Sequence, residues 1–224
     1  MTISNDGGAA RRCRLDLELT RRGLVESRAI AQRLILAGRV RVDGQIERRA
    51  ARPVEPRTAI ELIEPARFVS RGGEKLEAAF AAFPLDARGR VALDIGASTG
   101  GFTDCLLRHG ARRVYAVDVG RGQLHWSLRQ DPRVVVMEGV NARYLTPADL
   151  PEQAGCAAVD VSFISLRLIL PVLPPLLEAG AWVVTLIKPQ FEAGRREVGR
   201  GGVVRDDHVR ARVVDEIRIF GVDS

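Results

Sequence analysis

The sequence predicts an α/β protein in two parts: a small α+β module, then a larger domain built on a parallel sheet. Three observations carry this. From Arg71 onward, short apolar runs suited to strands alternate with runs at helical spacing, as in a parallel sheet covered on both faces. A glycine-rich turn, Gly96-Ala97-Ser98-Thr99-Gly100-Gly101, joins the first such strand to the helix after it. The positive charge is concentrated at the front. Residues 1–67 hold 14 basic and 9 acidic side chains and residues 68–224 hold 20 and 19, so +5 of the net +6 lies in the first third.

The chain of 224 residues suffices for one mid-sized α/β domain and a module. Its 46% hydrophobic and 28% charged residues argue against global disorder. Cys13, Cys105 and Cys156 are scattered and odd in number, which suggests neither a metal-ligand spacing nor a disulfide framework. No apolar signal segment opens the chain, and its most apolar stretch, 168–187, is interrupted by Pro171, Pro174, Pro175 and Glu178. That excludes an unbroken membrane span. The expectation is a cytoplasmic protein with no stable membrane association and no metal. A compact basic module attracts polyanions, with RNA, DNA and anionic membranes as candidates; a solvated face without a partner stays open.

The elements follow in order. Residues 1–10 are small and polar, a flexible tail. Leu15–Leu24 has helical spacing and ends near Gly23. Ser27 suits an N-cap before the stripe Ala29, Ile30, Leu34, Ile35, which Gly38 stops. Val40-Arg41-Val42 alternates as a strand, Asp43-Gly44 marks a tight turn, and Thr58–Ile63 closes a module over 11–64. A linker over 65–70 leads to the domain 71–224. There, a helix from Arg71 to Phe83 precedes strands at Val91–Ile95, Val114–Val117, Val134–Met137, Ala157–Val161 and Trp182–Ile187. Helices are expected at Phe102–His109, Gln123–Arg129, from about Leu166, and at Asp207–Ile219.

This order makes the larger domain Rossmann-like, and its first turn suggests the ligand. A dinucleotide fold wants Gly-x-Gly-x-x-Gly against a pyrophosphate. Here Gly96, Gly100 and Gly101 follow Asp94 at the strand end. A carboxylate beside the turn suits a ligand with an ammonium group, and S-adenosylmethionine has that group and no phosphate. Asp118 ends the second strand, where it can accept from ribose hydroxyls, and Asn141 follows the third, within reach of the adenine or the methionine part. The candidate cofactor residues are Asp94, Gly96, Ala97, Ser98, Gly100, Gly101, Phe102, Asp118 and Asn141. A nicotinamide cofactor or an empty structural turn stays open.

Of 34 basic residues only Lys75 and Lys188 are lysines. A lysine can lose its proton where its surroundings favour the neutral amine; arginine does not. Asp160 and Lys188 end the fourth and fifth strands, where parallel sheets place ligands, and Lys75 starts the helix that could fold over the same cleft. Two chance surface lysines are the bland alternative. A ribose hydroxyl needs its proton removed or tightly held before it attacks a methyl, so Lys188 is the candidate base or orienting group, assisted by Asp160 and Lys75. Phe163 and Phe191 suit stacking on a base or packing in a core equally. His109, His125 and His208 are dispersed and receive no catalytic role.

These residues carry a resemblance to a family. Arg14-Leu15-Asp16, Leu19, Gly23, Ser27-Arg28, Ala31, Gly38, Val40 and Val42-Asp43-Gly44 resemble an S4 RNA-binding domain. Ser70-Arg71-Gly72-Gly73-Glu74-Lys75-Leu76, the run Asp94 to Asp104, Asp160-Val161-Ser162-Phe163-Ile164-Ser165, Ile187-Lys188-Pro189-Gln190-Phe191-Glu192 and Gly201 to Asp206 resemble an FtsJ-type methyltransferase domain. Together they resemble the TlyA family, the haemolysin A-like ribosomal RNA 2′-O-methyltransferases, from about Arg14 to Arg212. The resemblance implies S-adenosylmethionine-dependent methylation of cytidine ribose in ribosomal RNA or ribosomal subunits. It implies RNA contacts through Arg14, Arg28, Arg33, Arg39 and Arg41, and a Lys-Asp-Lys-Glu set whose first three members match Lys75, Asp160 and Lys188. The fourth member lies in the family's final strands, so the domain is expected to be C-terminally incomplete, with an open sheet edge; Glu216, in a helix, is a poor substitute. The competing readings are an RNA-binding protein with an inactive methyltransferase domain, a haemolysin-like membrane-active protein, and a methyltransferase acting on a base or a protein.

Overall fold

The computed structural model describes residues 12–64 and 67–223. The expected tail and residues 65–66 of the expected linker fall outside them. The chain divides into two compact units, Met1–Ala66 and Arg67–Ser224.

In the first unit, β1 (Cys13–Arg14) leads into α1 (Leu15–Arg21), followed by α2 (Arg28–Leu36), β2 (Val40–Val42), β3 (Gln45–Ile46), β4 (Pro53–Val54) and β5 (Ile60–Leu62). Ser27 caps α2, its Oγ accepting from the Ile30 N–H at 3.3 Å. Asp43 and Gly44 both take positive φ, 51° and 80°, the backbone of a two-residue hairpin turn between β2 and β3. Leu15, Leu19, Ala31 and Ile35 from the helices close on Val40, Val42 and Val54. β2 lies between β3 and β5, and β1 pairs with β4.

Carboxylates fix the ends of this small core. Asp16 is fully buried, and accepts from Arg14 at 3.0 and 2.9 Å, Arg28 at 3.0 Å and Gln32 at 2.9 Å. The Arg14 hydrogen bonds outweigh burial and hold its carboxyl well below the usual range. Arg21 and Arg22 clamp the buried Glu18 in the same way.

The second unit opens with α3 (Gly72–Ala82) and continues β6 (Val91–Ile95), α4 (Gly101–Arg108), β7 (Arg113–Asp118), α5 (Trp126–Arg129), β8 (Val134–Glu138), β9 (Ala154–Val159), β10 (Leu177–Thr185), α6 (Pro189–Glu192) and α7 (Asp207–Asp223). The sheet is parallel throughout, in the order β10-β9-β6-β7-β8. β6 is central and every residue of it is buried, which is why Val91–Ile95 reads as a continuous apolar run broken only by Asp94. Val91, Leu93 and Ile95 face a core with Leu166, Ile169, Leu173 and Ile217. Ala92 faces the opposite core, with Leu76, Phe102, Cys105 and Leu106, so the alternation points Asp94 toward α4. Phe68 and Val69, expected in the linker, pack into this unit. Phe68 is buried in the α3–α4 core, and the Val69 N–H donates to Asp104 Oδ2 at 2.9 Å.

Several element boundaries differ from expectation. The helix expected from Leu166 is three separate 3-10 turns, Leu166–Leu168, Leu170–Val172 and Pro174–Leu176. Pro171, Pro174 and Pro175 cannot donate into a continuing helix. The strand expected at Trp182–Ile187 starts at Leu177 and ends at Thr185. Its register against β9 jumps between Leu177 and Trp182, and Gly180 in that interval has φ of 78°. The helix expected over Gln123–Arg129 shrinks to one turn. β10 and β8 are the sheet edges among the described residues. No helix of the described residues is long and apolar enough to cross a membrane.

Asp16→Ala removes the acceptor that ties α1 to α2. We expect it to destabilise the first unit by on the order of 2 kcal/mol, read as faster amide hydrogen exchange across Leu15–Leu36. Unchanged exchange there would show that the buried carboxylate is dispensable.

Candidate active site

The carboxyl ends of the strands open onto two adjoining clefts of about 1180 and 650 Å³, with Gly96, Ser98, Asp160 and Ser162 on the walls of both. The β6–β9 ladder sets their common wall, since the Asp160 N–H donates to the Ile95 carbonyl at 2.9 Å. The backbones meet so closely that a Cβ on Gly96, whose φ is 87°, would lie 2.7 Å from the Asp160 carbonyl oxygen. Only glycine fits there.

Asp160 gathers both lysines of the chain. Lys188 Nζ lies 2.6 Å from Asp160 Oδ1, an ion pair at contact distance, and its hydrogen bond goes to Ser162 Oγ at 2.7 Å. Lys75 Nζ donates to Asp160 Oδ2 at 3.4 Å. Lys188 arrives because the Leu186 N–H donates to the Val159 carbonyl at 2.8 Å, extending the β9–β10 pairing past the strand end. Lys75 arrives because glycines let α3 settle on the start of α4: a Cβ on Gly101 would lie 2.7 Å from the Gly73 nitrogen. Gly73, disfavoured by helix propensity, serves this close packing, since a Cβ on it would lie 2.2 Å from Phe68 Cγ.

The turn after β6 is ringed by carboxylates. Asp94 is fully buried and accepts from Thr103 Oγ1 at 2.6 Å, while its Oδ1 has no partner. Burial pushes its carboxyl up to about 7, against the Thr103 hydrogen bond, and the charges of Asp160 and Asp118 add to the rise. Asp118 is held by the Ser98 and Gly120 N–H groups, both at 2.7 Å. The Ser98 amide is therefore turned to a carboxylate rather than left free to cradle a phosphate. An anionic turn with an orphaned carboxyl oxygen fits a cationic, phosphate-free ligand such as S-adenosylmethionine and not a pyrophosphate.

Seven of the nine candidate cofactor residues line the clefts: Gly96, Ala97, Ser98, Gly101, Phe102, Asp118 and Asn141. Asp94 and Gly100 do not. Asp94 lies beneath the turn, and a Cβ on Gly100 would lie 2.3 Å from Leu128 Cδ1, so Gly100 packs against α5. Phe163 is 91% exposed with φ of 64°, so its ring is not packed in the core; Phe191 stands beside it at 5.2 Å. Glu216 is spent on Arg167 and Arg212. In the first unit, Arg14 and Arg28 are tied to Asp16, Arg39 donates to the Ile63 carbonyl at 2.6 Å, Arg41 lies 3.9 Å from Glu61, and Arg33 is exposed.

Sequence reasoning missed four contributors. Ser162, two positions beyond Asp160, accepts from Lys188 Nζ at 2.7 Å. Glu192 accepts from Ser165 Oγ at 2.6 Å and the Leu166 N–H at 2.8 Å, tying the segment that follows β10 to the one that follows β9. Arg143 and Arg195 line the larger cleft, but nothing distinguishes them in so arginine-rich a sequence.

The chain matches the FtsJ-like methyltransferase family over residues 68–222 and the S4 domain over residues 13–60. It is 51% identical over 207 residues to the 16S/23S rRNA (cytidine-2′-O)-methyltransferase TlyA of Mycobacterium tuberculosis, covering 92% of this chain and 77% of that one. It is 46% identical over 203 residues to hemolysin A of Brachyspira hyodysenteriae, covering 90% and 85%. A solved Streptococcus thermophilus protein that carries a hemolysin name superposes with a TM-score of 0.70 at 46% identity, covering 96% of this chain and 79% of that one.

Asp94 leaves a signature in stability. The folded chain keeps the carboxyl proton up to about 7, whereas an unfolded chain releases it near about 4. The native state binds the extra proton between those values, so stability falls as pH rises through them. Asp94→Asn is expected to flatten the fall in Tm between about pH 5 and pH 7 and to melt several degrees above the parent chain near pH 8. Equal pH slopes in the two proteins would contradict the assignment.

Proposed function

We infer the activity of a chain that belongs to the FtsJ-like methyltransferase family, in the group that holds TlyA and hemolysin A: it methylates the 2′-oxygen of a cytidine ribose in ribosomal RNA, with S-adenosylmethionine as donor. The observation that carries this reading is the convergence of Lys75 and Lys188 on Asp160 beside the carboxylate-ringed turn. When bound, the cofactor supplies an electrophilic methyl on a sulfonium. Gly96 to Ser98 and Gly101 to Phe102 would bound it, Asp118 would accept from its ribose hydroxyls, and Asn141 would stand beside its base. Asp94 acts from below, as a buried carboxyl that gives the turn its affinity for a cation.

Lys188 and Ser162 hold the acceptor hydroxyl; Lys188, which rests as the ammonium partner of Asp160, first releases one proton to solvent and then takes the hydroxyl proton as the oxygen attacks. Asp160 keeps the amine in place through an ion pair only 17–18% exposed on either side, and Lys75 completes the set. A hydroxyl is the acceptor this trio suits: a base nitrogen or a protein amide asks for a different clamp. Phe163 stands exposed at the mouth of the larger cleft, in a backbone conformation that costs a bulky residue energy. It offers a face for the target base, with Arg143 and Arg195 available to phosphates. The module 11–64 supplies the RNA grip, with Arg33 and Arg41 at its surface, Arg14 and Arg28 both structural and exposed, and Arg39 half-buried.

Lys188→Ala is expected to lower single-turnover methyl transfer by about 10²–10⁴-fold while S-adenosylmethionine binding, measured by calorimetry, stays within a few-fold. Near-normal transfer in a folded variant sinks the role. Phe163→Ala is expected to weaken RNA use by about 10–100-fold, with Phe163→Tyr close to the parent and cofactor affinity unchanged. An effect confined to cofactor binding would move Phe163 out of the acceptor side.

A further inference from the structure

Away from the strand-end clefts, α3 and α4 bring together a second set of donor atoms. We propose that Glu77, Cys105 and His109 bind a divalent transition-metal ion, zinc being the best match. Cys105 and His109 stand four residues apart and share one face of α4 and its cap; Glu77 reaches them from α3. His109 Nε2 lies 2.7 Å from Glu77 Oε2, and the Cys105 thiol donates to the same oxygen at 3.7 Å. All three donor atoms lie within 4.8 Å of one another. Neighbouring ligands of a tetrahedral zinc ion, with bonds of about 2.0–2.3 Å, sit about 3.3–3.8 Å apart, so a small adjustment would seat the ion. Thiolate, imidazole and carboxylate form a zinc donor set, and three protein ligands leave a fourth position for water.

The surroundings orient each ligand. Arg67 holds Glu77 Oε1 at 2.6 Å, leaving Oε2 as the oxygen presented to the cluster. Phe80 lies flat against the His109 ring, 3.7 Å away and 3° from parallel, and Trp182 buttresses Phe80 edge-on at 5.7 Å. Such outer contacts fix ligand geometry at metal sites. Cys105 is fully buried, and burial pushes its thiol up to about 12. Metal uptake therefore exchanges the S–H bond for an S–metal bond and sends the proton to solvent, with no change in oxidation state. Because Lys75 and Glu77 are two residues apart on α3, they leave the helix on different sides. The ion would lock α3 to α4 behind the lysine pair rather than join the chemistry there. The sequence leads to the expectation of no metal because Glu77 is 28 residues from Cys105, and only helix packing unites them.

The test titrates the metal-stripped full chain with cobalt(II) as a spectroscopic probe, then with zinc. One equivalent should bind and give a thiolate-to-cobalt charge-transfer band in the near ultraviolet that zinc abolishes. Cys105→Ala should lose the band, although Cys13 and Cys156 remain, and weaken zinc binding by at least about tenfold. His109→Gln, at a partly exposed position, should weaken binding yet keep the band, which guards against a folding artefact at buried Cys105. No stoichiometric uptake by the parent chain, or a band that survives in Cys105→Ala, overturns the proposal and leaves the trio as a hydrogen-bonded clamp between two helices.

Discussion

The carboxylate of Asp160 sits between two ammonium groups that come from opposite ends of the second unit, and much else in that unit serves the meeting. The parallel pairing of β6 and β9 sets the position of the carboxylate, and the close pass of Gly96 under its carbonyl joins it to the turn after β6. The β9–β10 pairing delivers Lys188. The contact of Gly73 with Gly101 delivers Lys75. The seating of Asp160 against the turn and the arrival of Lys75 depend on backbone approaches that a single Cβ would block. This accounts for Gly96 and Gly101.

The same region holds an electrostatic cost. Asp94 lies near the end of a fully buried strand, with one oxygen satisfied by Thr103 and the other by nothing. An apolar residue would stabilise the sheet. Asp94 stands with Asp118 and Asp160 around the turn, its carboxyl keeping its proton up to about 7, and the amide of Ser98 is already committed to Asp118. A site that lowers the stability of the empty protein in order to favour a cation is a familiar pattern in functional clefts.

Much of this was legible in sequence because local signals and tertiary demands agree. The apolar run Val91–Ile95, the turn after it, the Ser27 cap and the Asp43-Gly44 hairpin each follow from residue chemistry at short range. The scarcity of lysine singled out Lys75 and Lys188 before any geometry was available. Other features depend on distance. The prolines between Leu168 and Leu177 divide an apolar stretch into 3-10 turns, and a periodicity count does not see where each turn breaks. The early start of β10 follows from an irregular register against β9. Asp94 and Gly100 looked like ligand contacts because they sit in the motif, yet one lies under the turn and the other packs on Leu128. The ties of Arg14 and Arg28 to Asp16 do not show in the sequence, because the burial of Asp16 is a property of the fold, not of the run Arg14-Leu15-Asp16. Glu192 and Ser162 act across segments that sequence spacing does not relate.

The most direct measurement is the fate of a labelled methyl group. The chain would be incubated with methyl-labelled S-adenosylmethionine and ribosomal RNA that lacks the modification, and the RNA then digested to nucleosides. Label recovered in 2′-O-methylcytidine is the result that a lysine-flanked carboxylate beside an anionic cofactor turn leads us to expect. Label on a base, label on protein, or cofactor binding without transfer would contradict it.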